Sequence, residues 1–186
     1  SSEISQQVRA YNNSGSGILA ANSEGITISG VKSFSNTKGI SLDGVVSSEL
    51  SRINIYDNHE VGAQLSNFGS STIRGVSSSN AAKGFVFSNS SDNMVSSALA
   101  CGNSEIGFAF ANSENNTGKY NSGNKTMQGG ANPGFEAVDE CVVLVDCGNI
   151  TIPNSYYYVI NPVNYDGNSS YININAENVT LDCLGN

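Results

Sequence analysis

Tryptophan is missing from the chain, histidine occurs once, proline three times, and only 13% of the 186 residues carry charge. With 8 Lys plus Arg against 16 Asp plus Glu, a net charge of −8 and no basic cluster, nothing displaces counterions from a phosphate backbone, which excludes nucleic acid as a partner. No apolar run approaches the roughly 20 residues that span a bilayer, so no membrane insertion is expected within the chain. Residues 1–7 lack the basic start and apolar run of a signal peptide, and any targeting segment is expected outside the chain. What fills the space is 30 Ser, 26 Asn and 20 Gly. Serine and asparagine side chains compete with the helical backbone for hydrogen bonds, so this composition points away from helices and towards strands and turns.

The same residues recur at a fixed step. In "SGSGILAAN", "NTKGISLDG", "HEVGAQLSN", "AAKGFVFSN" and "SEIGFAFAN" the glycines fall at 17, 39, 62, 84 and 107, a step of 22 or 23. Upstream stand Asn13, Asn36, Asn58, Asn80 and Asn103, and five residues downstream stand Asn22, Gly44, Asn67, Asn89 and Asn112. Asparagine and glycine adopt left-handed backbone most readily, so both columns predict corners. Between the corners, apolar residues alternate with period two, which marks strands with one buried face. Ile18, Ile40, Ala63, Phe85 and Phe108 form one inward column, and Ala20, Leu42, Leu65, Phe87 and Phe110 form the next. Two further columns run Ile28, Leu50, Ile73, Val95 and Val8, Val31, Ile53, Val76, Ala98. Each coil is thus expected to carry about three short strands. A unit this short buries its apolar face only by stacking on its neighbours, and the Phe85, Phe87, Phe108 and Phe110 stack is the predicted core of the last regular coil. The lack of a dense L-x-x-L-x-L pattern excludes a leucine-rich horseshoe. The expected fold is all-β, a right-handed parallel β-helix, each coil advancing about 4.8 Å.

The "N-x-x-x-G-[IF]-x-[LF]" coil resembles the pectate-lyase-like parallel β-helix repeats, and most closely the NosD-like repeats of secreted and archaeal cell-surface proteins. The resemblance covers about residues 4 to 125 and implies fold rather than activity. Residues 1–125 are therefore expected as coils, 126–135 as a loop, and 136–186 as a C-terminal β segment that caps the stack, mediates subunit contact or starts a second stack. The stretches "CGNITIPNSYYYVINPV" and "YININAENVTLDCLGN" resemble the lead-in segments of archaeal surface β-helices. Ile4 and Val8 fit the columns one period before Ile26 and Val31, so both ends of the stack are expected to be open and to associate end to end. Cys101, Cys141, Cys147 and Cys183 lack the tight paired spacing of a zinc site and suit oxidised pairing outside the cell. Cys101 is either a buried thiol in the column Tyr11, Phe34, Tyr56, Ser79 or a bridge to Cys141; Cys147 with Cys183, which flank the lead-in-like segment, form the preferred second pair.

Chemistry is sparse. Seven N-x-S/T acceptors begin at Asn12, Asn89, Asn115, Asn124, Asn149, Asn168 and Asn178, where about five would arise by chance from this Asn, Ser and Thr content, so they permit glycosylation without requiring it. No catalytic set emerges: paired carboxylates on one face are lacking, and the single His59, beside Glu60, has no nucleophile or acid. No cofactor is expected. The only candidate Ca²⁺ ligands are Asp43, Asp57 and Asp92 with corner carbonyls, but the acidic nonapeptide of calcium-binding β-rolls is absent. Arg9 with Lys32, and Arg52 with Arg74, are expected to share columns and would suit an acidic sugar. Tyr156, Tyr157, Tyr158 and Tyr165 suit a cap, a subunit contact or a sugar platform. The expected function is a structural extracellular module of a cell-surface layer, adhesin or filament, rather than an enzyme. The competing expectation is a carbohydrate-binding or polysaccharide-cleaving β-helix.

Overall fold

The computed structural model describes residues 2–5, 8–123 and 125–138, and beyond these the strands Cys141–Leu144, Asn149–Ile150, Tyr156–Val159, Asn173–Ile174 and Thr180–Asp182. Two compact units divide the chain, Ser1–Asp139 and Glu140–Asn186. Every described element is a strand, and among the described residues no helix is long and apolar enough to cross a membrane.

In the first unit the alternating segments stack in parallel, as the apolar columns predict. Ser16–Glu24, Lys38–Val46, Val61–Ser66, Lys83–Ser88, Ile106–Ala111 and Lys125–Gln128 form one six-stranded sheet. Its register runs Ile18↔Ile40↔Ala63↔Phe85↔Phe108. A seven-stranded parallel sheet built around Glu49–Tyr56 forms the rest of the wall, with Ile28↔Leu50↔Ile73↔Val95 facing inward. Ile28, Leu50, Ile73 and Val95 are all fully buried. Chain order therefore winds as a parallel β-helix around one apolar column.

The core widens in aromatic content towards its C-terminal end. Phe85 stacks on Phe108 with centroids 5.2 Å apart, and Phe87 on Phe110 at 4.7 Å. Phe135, which is 2% exposed, meets Phe108 and Phe110 edge-on at 5.2 and 4.8 Å.

Positive φ recurs at four places around each coil. Asn22, Gly44, Asn67, Asn89 and Asn112 hold φ between 46° and 64°, as expected of the downstream column. A neighbouring corner runs Gly25, Ser47, Ser70, Asp92, Asn115, and a third runs Gly30, Arg52, Gly75, Ser97. The upstream corner differs from expectation. Its left-handed residues are Asn12, Ser35, Asp57, Asn80 and Gly102, one position before Asn13, Asn36, Asn58 and Asn103. Asn80 thus belongs to the corner itself, and Ala81 stands where the other coils place the next asparagine. The recurring glycine has another reason than torsion: a Cβ at Gly39 would lie 2.5 Å from the Gly62 carbonyl oxygen, and one at Gly84 the same distance from that of Gly107. Coils meet there backbone to backbone, and no side chain fits.

Three boundaries differ from the sequence expectation. Ile4 pairs with Ile28 rather than lying one period before Ile26. The expected loop at 126–135 starts as strand, because Lys125–Gln128 continues the six-stranded sheet with Phe110 opposite Met127. Phe135–Val138 then pairs with Gly118–Ser122. These residues make one further coil, whose step falls from 23 at Leu99↔Ser122 to 17 at Phe108↔Lys125 because the connection between Ser122 and Lys125 is short; Gly129 and Gly130, both at positive φ, follow it.

Taken by itself, the second unit also pairs in parallel. Tyr156 lies opposite Cys141 and Thr180, and Asn149 opposite Asn173. The registers Tyr156↔Thr180 and Asn149↔Asn173 both step by 24 residues, close to one coil of the first unit.

Candidate functional site

Buried amide and hydroxyl groups in the first unit are bonded along the stack. Behind the upstream corner, the Asn36 Oδ1 accepts the Asn13 N–H at 3.1 Å and its Nδ2 at 2.8 Å. One coil on, the Asn58 Oδ1 accepts the Asn36 N–H and Nδ2 at 3.0 and 3.1 Å. On the far side of the coil a second ladder runs Ser48, Ser71, Asn93, Asn116, Asn132. Each backbone N–H from Ser48 to Asn116 donates to the side chain of the next residue in that series, at 3.0 to 3.2 Å. Between the ladders, Ser90 and Ser113 hydroxyls take the N–H groups of Phe68 and Ser90. Sequence reading missed the second ladder, whose only signal is a 22 to 23 residue step in two very common residues.

The first ladder is broken at one rung. Ala81 N–H donates to Asn103 Oδ1 at 3.2 Å, but Ala81 offers no acceptor to Asn58. The Asn58 Nδ2 turns back to its own Tyr56 carbonyl at 3.2 Å, besides the Ser33 carbonyl at 3.1 Å. At this break the outer surface sinks into an open groove of about 770 Å³ that runs over several coils. Asp57, Asn58, His59, Asn80, Ala81 and Gly102 are among the residues that line it. Asp57 is exposed and accepts the Asn80 Nδ2 at 2.9 Å.

Beside this groove a ring stack climbs the wall. Tyr11, Phe34 and Tyr56 lie in register with centroids 5.1 and 4.9 Å apart. Burial raises the Tyr56 phenol above its ordinary pKa, the Asp57 charge adds to the rise, and Arg9 opposes it. Ser79 continues the column, next to which Cys101 is buried with its Sγ 3.9 Å from the Ser122 carbonyl oxygen. The side chains of Cys141, Cys147 and Cys183 lie outside the described residues, as does either proposed pairing.

Other candidates are scattered. Arg9 and Lys32 share a column as expected. Arg52 and Arg74 do not: Arg74 pairs with Ser51, while Arg52 sits at a corner with φ 51° and donates to Ser29 Oγ at 3.0 Å. The one-residue offset arises because the corner absorbs Arg52, and Arg74 instead meets Glu49 at 3.7 Å. Asp57 and Asp92 stand at two different corners, and Asp43 is a strand residue that accepts the Asn67 Nδ2 at 2.8 Å. Among the acceptor asparagines, Asn12, Asn89 and Asn115 are exposed at positive φ, and the side chains of Asn124, Asn149, Asn168 and Asn178 lie outside the described residues. Tyr156, Tyr157 and Tyr158 form a strand whose side chains are likewise outside them, and so is Tyr165.

A family model described as "Periplasmic copper-binding protein (NosD)" matches residues 1–133. Among solved structures, an alginate lyase from Paenibacillus sp. str. FPU-7 is similar with TM-score 0.51 and 13% identity, over 91% of this chain and 76% of that one. The periplasmic alginate epimerase AlgG is similar with TM-score 0.49 and 17% identity, over 94% of this chain but only 39% of the epimerase. No curated protein matches in sequence. The likeness to the lyase establishes a shared parallel β-helix fold. Copper is held by imidazole, thiolate and thioether ligands brought together. Among the described residues no three of His, Cys, Asp and Glu gather: His59 lines the groove, Cys101 is buried at the wall, and Met94 is half exposed in another column. The described donors do not fit a copper centre.

Proposed function

The chain belongs to the NosD family of periplasmic copper-binding proteins over residues 1–133, and from that premise we propose that it is an extracytoplasmic β-helical module with a structural rather than an enzymatic role. One observation supports this reading. The buried polar side chains bond from coil to coil along the stack instead of converging on one point, and among the described residues no three of His, Cys, Asp and Glu gather. Catalysis by paired carboxylates needs two acids facing one substrate bond, an arrangement this surface does not favour.

Fractionation of native cells tests the location, and the expected result is recovery outside the cytoplasm. Incubation with alginate and polygalacturonate, read by reducing ends and by the ultraviolet absorbance of unsaturated uronates, tests the role. Turnover by the purified chain would sink the structural reading. Association between stack ends belongs to the same reading and would register as a sedimentation coefficient that rises with concentration.

A further inference from the structure

We propose that the outer face carrying Arg9, Lys32 and the rings of Tyr11, Phe34 and Tyr56 is a docking strip for an acidic polysaccharide lying along the stack axis. Both columns point outwards. Arg9 is in register with Lys32, Tyr11 with Phe34, and Phe34 with Tyr56, while Ser33 and Ile55, which precede two of the rings, are fully buried. Strand alternation therefore puts the two cations and the three rings on one surface, cations in one column and rings in the next. Arg9 and Lys32 are exposed, and Tyr11 is 52% exposed.

Charge selects the class. Two cations one coil apart, about 4.8 Å along the axis, repel each other. Neither meets a carboxylate among the described residues, whereas Arg74 meets Glu49 and Lys83 meets Glu105. In a chain of net charge −8 this column is a local reversal of sign. The rings act in the same direction. Tyr11, Phe34 and Tyr56 stack with interplanar angles of 6° and 5°, so they cover one another's faces and present their rims, the positive part of the ring quadrupole. Such a stripe is a poor platform for a sugar ring laid flat, but it suits an anion set beside it. The field of Arg9 extends along the strip as far as Tyr56.

Neutral groups complete the match. Asn54 continues the cation column as an amide, and the groove beside the rings offers Asn13, Ser35 and Thr37. A polymer that carries both carboxylates and hydroxyls uses all of these groups. An acidic peptide has no ring hydroxyls, and in an extended strand its same-side carboxylates recur about every 6.7 Å, out of step with the coils. Asp57, just beyond Tyr56 and bonded to Asn80 at 2.9 Å, bounds the strip for an anion.

Hexagalacturonate is the probe, with cellohexaose as the neutral arm and hexaglutamate as the bare-charge arm. Each is titrated into the unaltered chain by calorimetry while the amide resonances of Lys32 and Phe34 are followed. The expected result is that hexagalacturonate binds more tightly than either control, shifts both resonances, and loses affinity as salt is raised. Arg9→Gln with Lys32→Gln should lower its association constant about tenfold or more, and Tyr11→Ala should lower it several-fold. Lys38→Gln, which alters a cation in the other sheet, should leave it unchanged. All these positions lie at the surface or near it, so melting temperatures close to that of the unaltered chain certify the fold. Failure of hexagalacturonate to bind, equal or tighter binding of cellohexaose or hexaglutamate, or unchanged binding in the double variant or in Tyr11→Ala would each overturn the proposal. Turnover of a polysaccharide would sink the structural reading and leave this one standing, so the two fail separately.

Discussion

Replacing Asn116 by alanine should cost the first unit about 3–5 kcal/mol, a large share of the 5–15 kcal/mol that holds a typical domain together. The magnitude follows from the contacts of one fully buried carboxamide. Its Oδ1 accepts the Asn93 N–H at 3.2 Å and the Asn93 Nδ2 at 2.9 Å. Its Nδ2 donates to the Ser90 carbonyl at 2.9 Å and to Asn132 Oδ1 at 2.7 Å. Each bond contributes about 1 kcal/mol net, and leaving the Asn93 N–H buried without an acceptor adds its desolvation cost. Urea unfolding monitored by circular dichroism gives the difference, provided that the slope against denaturant is unchanged. Amide exchange localises it: the Asn93 N–H should lose protection while that of Ile40, several coils away, does not. A loss below about 1 kcal/mol with Asn93 still protected would refute the view that the ladder bonds stabilise the stack.

The stacked phenylalanines give a second test. Phe110→Ala removes a ring packed against both Phe87 and Phe135, and a core truncation of this kind costs about 3–5 kcal/mol; a melting temperature close to that of the unaltered chain would show that the ring is not interior. Tyr56 supplies a pH test. Its folded pKa is raised above the unfolded value near 10, so its contribution to stability is intact below about pH 10 and is lost as pH rises through the folded value. Thermal melts of the unaltered chain and of Tyr56→Phe should therefore run close together at neutral pH and separate above about pH 10, where the unaltered chain becomes the less stable of the two, and parallel curves throughout would contradict the raised value.

Apolar columns were legible in the sequence because large side chains are scarce here and alternate with period two, so Phe85, Phe87, Phe108 and Phe110 stood out against serine and asparagine. The polar ladders were not legible for the opposite reason. With 30 Ser and 26 Asn, many residues 22 or 23 apart match by accident, and Asn80 matches the spacing of the predicted corner column Asn13, Asn36, Asn58 and Asn103, although the coil puts Ala81 in line with those four. That one-residue ambiguity hid the most informative position of the candidate site. The last coil was missed because its step falls to 17 and because Lys125 and Met127 occupy positions held by phenylalanine one coil earlier. Arg52 and Arg74 share a step of 22, yet only the backbone torsion at Arg52 reveals that one is a corner and the other a strand residue.

The ladders also have a direction. Each rung's N–H finds its acceptor on the residue one coil further along the chain, from Asn13 to Asn36 to Asn58 and from Ser71 to Asn93 to Asn116 to Asn132. At the same time each amide reaches back to a backbone carbonyl already laid down, Asn93 to Phe68 and Asn116 to Ser90. A coil is therefore incomplete until its successor arrives, and the successor latches it on arrival. For a polypeptide that emerges N-terminus first, structure would accumulate like a ratchet, one latched turn at a time, with only the newest turn able to slip back.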